Sequence, residues 1–458
     1  MNAQTSTIGP AVLGALRSRL RGTTLLPGDG SYSAARQVWN AAIDRRPAAI
    51  VVCADAEDVA LALRIATEHR LPVTVRGGGH NVAGRSIRDG ALLLDLSKLR
   101  NVAVNRETRI ASSQGGALWR DLDAATAAEG LATTGGLVST TGVGGFTLGG
   151  GAGWLMRRHG LACDNLVGAN VVLADGRCVR ASAAENADLF WGLRGGAGGL
   201  GVVTSFDFRL HPLREVLAGL VIHPASEARA VLRAFRDFAA GAADEFCGLA
   251  VLAHAPPLPF LDAAWHGQPV AILALCWCGD PAAGERAIAP LRSAGRPLAD
   301  HVGVMPYAFW QQLQDPGAPA GRHYYWKTAN YARLEDATLD ELAAAAPRLP
   351  TRETELHVQH MGGAVARVPV EDTAFAHRDA GFFVNLIGVA TGAEGFGPMR
   401  DAVRGLYERI APGALPGRLP NFTSGDADDL AERHSLGHAA RLAALRRRYD
   451  PAALFAGG

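Results

Sequence analysis

Val75-Arg76-Gly77-Gly78-Gly79-His80-Asn81 is the segment around which we expect the chain to be organised. Successive glycines let neighbouring backbone N–H groups converge without interference from Cβ atoms, and such a concavity suits an anion such as a phosphate. A nucleophilic side chain, His80, stands at the end of the run. Three glycines alone are also typical of flexible turns, so the context matters. A helical pattern and then a strand pattern at Leu71–Val75 lead into this loop.

A second glycine-rich segment runs from Gly135 to Gly153, and the lone cysteine Cys163 follows it. This segment is too rich in glycine for a regular helix or a central strand. Its small side chains, hydroxyls and free N–H groups predict a wall against a large planar or phosphorylated ligand. The alternative, a mobile surface loop, fits less well because apolar residues interrupt the segment and would anchor it to a core. We therefore interpret the two glycine-rich segments as halves of one cofactor site.

Length and composition indicate a folded protein of two domains. The chain has 458 residues, of which 48% are hydrophobic and 19% charged, and one ordinary core rarely spans this length. The net charge of +1 gives no basic surface for nucleic acid or an anionic membrane. The first twenty or so residues contain no long apolar run, so we expect no signal peptide, no membrane span and a cytoplasmic protein.

The cysteines and one further glycine motif exclude two other site types. The six cysteines form no CxxC pair and show no zinc spacing, so we expect reduced thiols, mostly in the core, and no metal. Gly196–Gly201 matches the GxGxxG pattern formally. A strand pattern, Val202–Phe206, follows it, whereas a nicotinamide-binding fingerprint requires a helix there.

The character of the chain changes after about His211, where glycine becomes rarer and aromatic residues gather. This half predicts a second domain with an apolar, aromatic pocket. Its periodicity predicts helices at Ser226–Ala240 and Ala282–Ala294, and strands at Gly248–Ala253, Val270–Cys276, Leu356–Met361 and Phe382–Ile387.

Five segments together resemble the berberine bridge enzyme-like flavoproteins of the vanillyl-alcohol oxidase and p-cresol methylhydroxylase superfamily, and the resemblance covers nearly the whole chain. It implies an α+β fold, with a two-part FAD-binding domain of the p-cresol methylhydroxylase type and a central substrate domain whose antiparallel sheet is covered by helices. The implied boundaries are 1–211 and 411–458 for the FAD-binding domain and 212–410 for the substrate domain. The segments are Arg76–His80, Gly135–Gly153, Gly160–Asn165, Leu189–Gly195 and Tyr449–Pro451.

The resemblance also implies FAD attached covalently at two residues, His80 at the C8 methyl group and Cys163 at C6. An imidazole and a thiolate are suitable nucleophiles for such bonds, and two attachments would fix the ring and raise its potential. A loop-capping histidine and a buried structural thiol are the respective alternatives. Further implied FAD contacts are Arg76, Gly77, Gly78, Gly79, Asn81, Gly84, Ser139, Thr140, Gly142, Gly144, Gly145, Gly149, Gly150, Val203, Asn421 and Phe422.

The catalytic base is less clear, because the tyrosine that many family members carry two positions before Asn421 is Leu419 here. Asn385 falls near a family position on the strand above the flavin and would orient substrate. Strand alternation places it on one face with Phe383 and Ile387. An asparagine cannot act as a general base, so another residue must.

The candidates for that base are His360 and Tyr324, and histidine is the residue type best suited to proton transfer near neutrality. His357 and Gln359 share one face of their strand, and His360 lies on the other. A metal site at His357 and His360 is improbable, since no third ligand has suitable spacing. We expect Asn421 to lie at the flavin as well.

These observations predict an FAD-dependent oxidoreductase that oxidises an alcohol or amine of a small molecule by hydride transfer to flavin N5, with O2 as the simplest electron acceptor. The pocket suggests a secondary metabolite. The alternative is a flavoprotein that binds, sequesters or reductively masks a planar drug, a resistance function favoured by Leu419. A glycine-rich structural protein without flavin is a third interpretation. The sequence leaves open the substrate, the oligomeric state and the choice between oxidase and dehydrogenase, on which Leu166 is expected to bear.

Overall fold

A computed structural model describes residues 8–426 and 438–455 of the chain. Residues 1–7, 427–437 and 456–458, which include parts of the predicted FAD-binding segments, lie outside the described residues. Three larger sheets with helices packed against them form the described structure. None of the helices within these two ranges is long and apolar enough to cross a membrane.

The first sheet has four strands in the order β1-β2-β4-β3, and β4 runs parallel to both β2 and β3. The crossover helix between β2 and β3 begins at the predicted N-cap, where the Asp55 carboxylate accepts a hydrogen bond from the Asp58 N–H at 2.9 Å. The elements are α1 (Pro10–Arg19), β1 (Thr23–Leu25), α2 (Tyr32–Ala35), β2 (Ala49–Val52), α3 (Ala56–Glu68), β3 (Val73–Arg76) and β4 (Leu92–Asp95).

The second sheet is antiparallel, with five strands in the order β5-β6-β10-β8-β9, and β7 pairs with β11 beside it. As predicted, the GxGxxG match leads into a strand, β10. The elements are β5 (Val102–Asn105), β6 (Ile110–Gln114), α4 (Trp119–Ala128), β7 (Leu131–Ala132), α5 (Val143–Leu148), α6 (Met156–His159), α7 (Ala162–Asn165), β8 (Leu166–Val172), β9 (Cys178–Ser182), α8 (Ala187–Leu193), β10 (Val202–Arg209) and β11 (His211–Pro212).

The third sheet is antiparallel and has seven strands in the order β15-β12-β14-β13-β17-β18-β16. The α+β architecture and the helix-covered antiparallel sheet are thus confirmed. The elements are β12 (Glu215–Pro224), α9 (Ala228–Ala239), β13 (Phe246–His254), β14 (Pro269–Trp277), α10 (Pro281–Arg292), β15 (Ala299–Pro306), α11 (Tyr307–Trp310), β16 (His323–Tyr331), α12 (Asp336–Ala345), β17 (Glu355–His360), α13 (Ala364–Arg367), β18 (Phe382–Ala390) and α14 (Ala393–Ile410).

Both faces of the seven-stranded sheet are buried, and strand alternation divides its side chains between two cores. In β14, Leu273 and Leu275 pack outward with α9, α10, α12 and α14. Ile272 and Ala274 point the other way, toward the glycine-rich segments. The chain returns to the first half at its end, where helix α15 (Ala439–Tyr449) places the Tyr449 hydroxyl 2.8 Å from Asp188 of α8.

Two local predictions differ from the structure. The helix expected around Ala34–Ala42 ends at Ala35, because the following residues form a loop that reaches across to Arg322 and Tyr324. The glycine-rich wall contains the short helix α5, stabilised by the hydrogen bond from the Thr147 hydroxyl to the Val143 carbonyl.

A buried ion pair joins the two halves behind the glycine-rich wall. The Arg378 guanidinium donates to both oxygens of Asp164, at 2.7 and 2.8 Å, and the two side chains are only 6% and 7% exposed. Thr373 accepts a further hydrogen bond from Arg378. Because the pair is desolvated, each charge depends on the other for solvation.

Replacement of Asp164 by Ala should lower the free energy of unfolding by about 3–5 kcal/mol, because it leaves the Arg378 charge buried without its counterion. The matched control is Asp175→Ala, which breaks an ion pair with Arg177 whose side chains are 51% and 71% exposed. That control should cost at most about 1 kcal/mol. Chemical denaturation measures both, and equal losses would contradict the assignment.

A buried carboxyl lies between α4 and the substrate half. Asp123 is buried, and its carboxyl accepts a hydrogen bond from the Gln311 side-chain amide at 3.3 Å. Burial, together with the nearby Asp315 carboxylate, raises the pKa of Asp123 to about 7. The folded state therefore retains a proton that the unfolded chain releases near pH 4, so this group destabilises the fold increasingly between about pH 4 and pH 7.

Asp123→Asn should therefore raise the melting temperature at pH 8 and change it little at pH 4. The control is Asp121→Asn on the same helix, for which we expect the opposite change in stability at pH 8. There, hydrogen bonds from Arg100 and the Leu118 N–H outweigh burial and lower the pKa of the Asp121 carboxyl. Its loss should destabilise the protein at pH 8. A gain for Asp123→Asn that is equal at both pH values would contradict the assigned titration.

Candidate functional site

A cavity of about 1020 Å³ lies between the two glycine-rich segments and the inner face of the seven-stranded sheet. Its volume is at the upper end of the range for ligand sites in proteins. Gly77–Asn81 and the turn around Gly142–Gly149 line one side. Strands β13, β14, β16, β17 and β18 line the other and form a roof. The cavity therefore has room for a dinucleotide together with a small substrate.

His80 lines this cavity within a stack of three rings. Its imidazole lies 4.2 Å from the Trp39 ring, centroid to centroid, and Trp39 lies 3.7 Å from Tyr324 on its other face. His80 Nε2 is buried without a hydrogen-bond partner among the described residues. Burial lowers the pKa of His80 to about 4. The imidazole is therefore neutral at pH 7 and keeps the lone pair that a nucleophile needs.

Trp39 is held by backbone contacts to both halves of the protein. Its N–H donates to the Gly79 carbonyl at 3.1 Å, and its carbonyl accepts from the Gly321 N–H at 3.0 Å. Its indole N–H donates to the Ala318 carbonyl at 3.0 Å. The ring stack thus fixes the orientation of His80 relative to the roof strand β16.

The two glycine-rich segments touch backbone to backbone. A Cβ atom on Gly78 would lie 2.5 Å from the Gly142 nitrogen, and one on Gly142 would lie 2.4 Å from the Gly78 nitrogen. A Cβ on Gly145 would meet nothing within 4 Å and would project into open space. The N–H groups of Gly144 and Gly145 belong to the first turn of α5, where helices leave them without internal partners. These residues fit a phosphate-bearing cofactor.

The predicted FAD contacts divide into two sets. Those that line the cavity are Gly77, Gly78, Gly79, His80, Asn81, Gly142, Gly144, Gly145, Gly149, Val203, Asn421 and Phe422. Those that the structure does not bring to it are Arg76, Gly84, Ser139, Thr140, Gly150 and Cys163.

Residues of the second set contact other parts of the protein. Arg76 turns away to pair with Asp95 at 2.6 Å. Ser139 donates from its N–H and its hydroxyl to the two oxygens of Asp315, at 2.7 and 2.6 Å. Gly84 and Gly150 allow Ile43 and Phe375, respectively, to approach. They support the cavity wall from behind.

Cys163 lies in the core beneath the glycine-rich wall, fully buried. Its thiol is 3.7 Å from the Asp164 carboxylate, which is already paired with Arg378. Burial and the Asp164 charge raise the pKa of the Cys163 thiol well above its usual value, so the nucleophilic thiolate is disfavoured. Leu166 is likewise buried in the core around β8 and does not line the cavity.

Asn385 does line the cavity with Phe383 and Ile387, as strand alternation predicts. Its Oδ1 lies 3.2 Å from the Thr328 hydroxyl, which also lies 2.7 Å from the Phe422 carbonyl and donates to it. Its side-chain nitrogen has no protein partner among the described residues. Asn385 is therefore placed to contact a ligand.

Asn421 lines the cavity but makes its hydrogen bonds to the glycine-rich wall. Its Oδ1 accepts from the Gly151 N–H at 3.3 Å, and its amide lies 3.3 Å from the Phe146 carbonyl. Tyr324 also lines the cavity, but its hydroxyl donates to the Pro319 carbonyl at 2.6 Å, and burial raises the pKa of this phenol. Both residues position the site, and neither is suited to accept a proton.

His360 does not line the cavity, which corrects the prediction that it could serve as the base. It points to the opposite face of β17, where it packs against Phe382. Arg157 donates to its Nε2 at 2.8 Å, which occupies the lone pair. Burial, with the Arg157 charge, lowers the pKa of His360 to about 3.

Strand β17 presents His357 to the cavity, with Glu355 and Gln359 on the same face. The sequence predicts the shared face of His357 and Gln359, but not that this face meets the cavity. In the antiparallel register of β17 and β18, His357 lies directly opposite Asn385, and directly opposed residues share a face. No group of three metal-ligating side chains occurs within residues 8–426 and 438–455.

Comparison with known proteins agrees with this site. Residues 47–182 match the family model described as FAD binding domain. A 200-residue region is 43% identical to an FAD-linked oxidoreductase of Aspergillus terreus, over 43% of this chain and 40% of that one. The chain is 29% identical to (R)-6-hydroxynicotine oxidase of Paenarthrobacter nicotinovorans over 451 residues, which is 94% of each protein.

Solved structures extend the agreement to the fold. The structure of 6-hydroxy-D-nicotine oxidase from Arthrobacter nicotinovorans superposes with a TM-score of 0.82 and 27% identity, over 96% of this chain and 97% of that one. Glucooligosaccharide oxidase from Acremonium strictum, described with a 6-S-cysteinyl, 8α-N1-histidyl FAD, gives a TM-score of 0.83 at 22% identity, over 97% of each chain.

The chain therefore contains an FAD-binding domain, is similar over nearly its whole length to FAD-linked oxidoreductases, and has the fold of the berberine bridge enzyme-like flavoproteins. The glycine-rich segments and the His80 loop form one wall of the cavity, and the roof of the seven-stranded sheet forms the opposite wall.

Trp39→Leu should lower the fraction of purified protein that carries FAD, because it removes the ring that supports His80. Each lost stacking contact is worth about 0.5–1.5 kcal/mol. Trp39→Phe keeps an aromatic face and should retain most of the cofactor. The ratio of absorbance at 450 nm to that at 280 nm measures the loading. Equal loading in wild type and in folded Trp39→Leu would show that the stack does not support the cofactor site.

Proposed function

We propose that this protein oxidises an alcohol or amine of a small molecule with an FAD that is covalently attached through His80. When bound, FAD supplies the two-electron chemistry, accepting a hydride at N5 and passing the electrons to O2. The observation that carries the proposal is His80 itself, a neutral imidazole at the cavity wall that stacks on Trp39 and whose Nε2 has no hydrogen-bond partner among the described residues. A histidine kept this way is suited to form a bond to the cofactor.

The proposed bond joins an imidazole nitrogen of His80 to the C8 methyl carbon of the flavin. Two protons and two electrons are lost as it forms, and O2 takes up the electrons. We propose His80 as the single attachment. Cys163, expected from the sequence as a second one, lies off the cavity beside the Asp164–Arg378 pair. Its role here is that of a buried structural thiol.

The roof residues suit oxidation of a polar small molecule. Glu355, His357, Gln359 and Asn385 present hydrogen-bonding groups to the cavity beside apolar side chains of the roof such as Val251. The relatives include (R)-6-hydroxynicotine oxidase and glucooligosaccharide oxidase, so we propose an amine or an alcohol as the oxidised group. The drug-sequestering alternative drew on the absence of a base at Leu419, and the cavity-facing His357 weakens that support.

Acid precipitation and peptide mass spectrometry test the attachment. Wild-type protein should retain its yellow colour in the acid pellet and yield one flavin-bearing peptide, which contains His80. His80→Ala should release all flavin into the supernatant. Cys163→Ser should keep the same flavinylated peptide and the wild-type yield.

Two results would contradict the proposal. A wild-type peptide carrying flavin on Cys163 would restore the double attachment, and flavin that washes out of the wild-type pellet would exclude any covalent bond. Melting temperatures of the variants separate loss of attachment from loss of folding. Bleaching of the bound flavin under anaerobic conditions by 6-hydroxynicotine or by a glucooligosaccharide would then identify the oxidised group.

A further inference from the structure

His357 and Glu355 form a hydrogen-bonded pair on the cavity face of the roof, and we propose that this pair receives the substrate's proton. His357 is the catalytic residue, and Glu355 positions it. This inference rests on the proposed function, since it assigns the proton that must leave an alcohol or amine when its carbon loses a hydride. The juxtaposition of the two side chains on the cavity face of β17 carries the argument.

The geometry defines which nitrogen is free. His357 Nε2 lies 2.7 Å from a carboxylate oxygen of Glu355. A carboxylate only accepts hydrogen bonds, so the imidazole carries its hydrogen on Nε2. Nδ1 then retains a lone pair, and it has no protein partner among the described residues. The carboxylate also stabilises the imidazolium that forms when Nδ1 takes up a proton.

The pair lies in the interior of the roof and not at its edge. Strand β17 lies in the interior of the sheet, between β13 and β18. On these neighbours Val251 and Asn385 stand directly opposite His357. Val251 is apolar and Asn385 carries no charge, so Glu355 is the ionisable group closest to the imidazole. The His357 side chain is 10% exposed, and its accessible part lies in the cavity wall.

Other titratable groups of the wall have partners or lie farther along the roof. Arg322 pairs with Glu353 at 2.7 Å, and the Tyr324 hydroxyl is committed to a backbone carbonyl. The other titratable groups that line the cavity are His80, Arg85, His254, His266, Arg352 and Glu355. Of the histidines that line it in the described part of the chain, His357 is the one that hydrogen-bonds to a carboxylate.

In the proposed step the substrate loses one proton and one hydride. The substrate's O–H or N–H proton moves to Nδ1 of His357, and the hydrogen on the adjacent carbon leaves with its electron pair as a hydride. A C=O or C=N double bond forms, and FAD is the two-electron oxidant. The proton later passes from His357 to solvent through the cavity mouth.

The first test needs no substrate. In FAD-loaded protein with ¹⁵N-labelled histidine, long-range ¹H–¹⁵N spectra distinguish the tautomers of the 14 histidines. The His357 signal, assigned by its loss in His357→Gln, should show the Nε2–H tautomer at pH 8. In Glu355→Gln this preference should weaken, because an amide can either donate or accept. An Nδ1–H tautomer in wild type would overturn the inference.

The second test follows flavin bleaching in stopped flow with 6-hydroxynicotine or a glucooligosaccharide. His357→Gln should slow bleaching by about 100-fold or more, the typical contribution of a general base, and should abolish the decline of the rate at low pH. KM should change less than kcat. Glu355→Gln should slow bleaching by a smaller factor. His301→Gln, on the exposed edge strand β15, is the matched control and should leave the rate and pH profile unchanged.

Failure of the inference and failure of the proposed function give different results. Bleaching in wild type with an unchanged rate and pH profile in folded His357→Gln would overturn the proton assignment and leave the oxidase function intact. Flavin that no probe bleaches would count against the proposed function, while the tautomer spectra would still decide whether His357 carries a free Nδ1.

Discussion

The backbone contact between Gly78 and Gly142 is the constraint on which the cofactor site depends. Neither position has room for a Cβ atom, since each would fall about 2.5 Å from the other residue's backbone nitrogen. Segments more than sixty positions apart in sequence are thereby brought into direct apposition, and their N–H groups face one cavity. Substitution at either position would separate the segments, because a neighbouring backbone cannot move aside as a flexible side chain can.

The roof is subject to a different constraint, because both of its faces must be buried. Helices cover the outer face with apolar side chains, whereas the inner face must leave a cavity and supply polar groups to it. Because successive side chains point to opposite faces, each strand meets both requirements with alternate residues. In β17, Leu356 and Val358 join the outer core, while Glu355 and His357 face the cavity. One strand therefore contributes to stability and to chemistry with alternate residues.

The glycine loop with His80 and strands β13, β14, β17 and β18 were predictable because each leaves a local signature, either a glycine run or a strand pattern. The antiparallel substrate sheet and the place of Asn385 in it followed from the family resemblance. Strands β12, β15 and β16 were not predicted. In β16 successive residues pack on opposite sides, Tyr325 in the outer core and Tyr324 with Trp39, whereas the sequence suggested only an aromatic pocket and a candidate phenol at Tyr324. Cys163 shows the limit of motif context: its sequence position next to the wall does not reveal that its thiol turns toward Asp164 and into the core.

The choice between His357 and His360 depended on a fact that sequence spacing alone cannot supply, the register between β17 and β18. Because His357 lies opposite Asn385, the face on which each remaining residue of β17 lies is also determined. The two histidines then experience opposite environments. Arg157 occupies the lone pair of His360 and disfavours its protonation, whereas His357 is hydrogen-bonded to the Glu355 carboxylate. Two histidines three positions apart thus differ in chemistry because a strand has two faces, and only one of them meets the cofactor cavity.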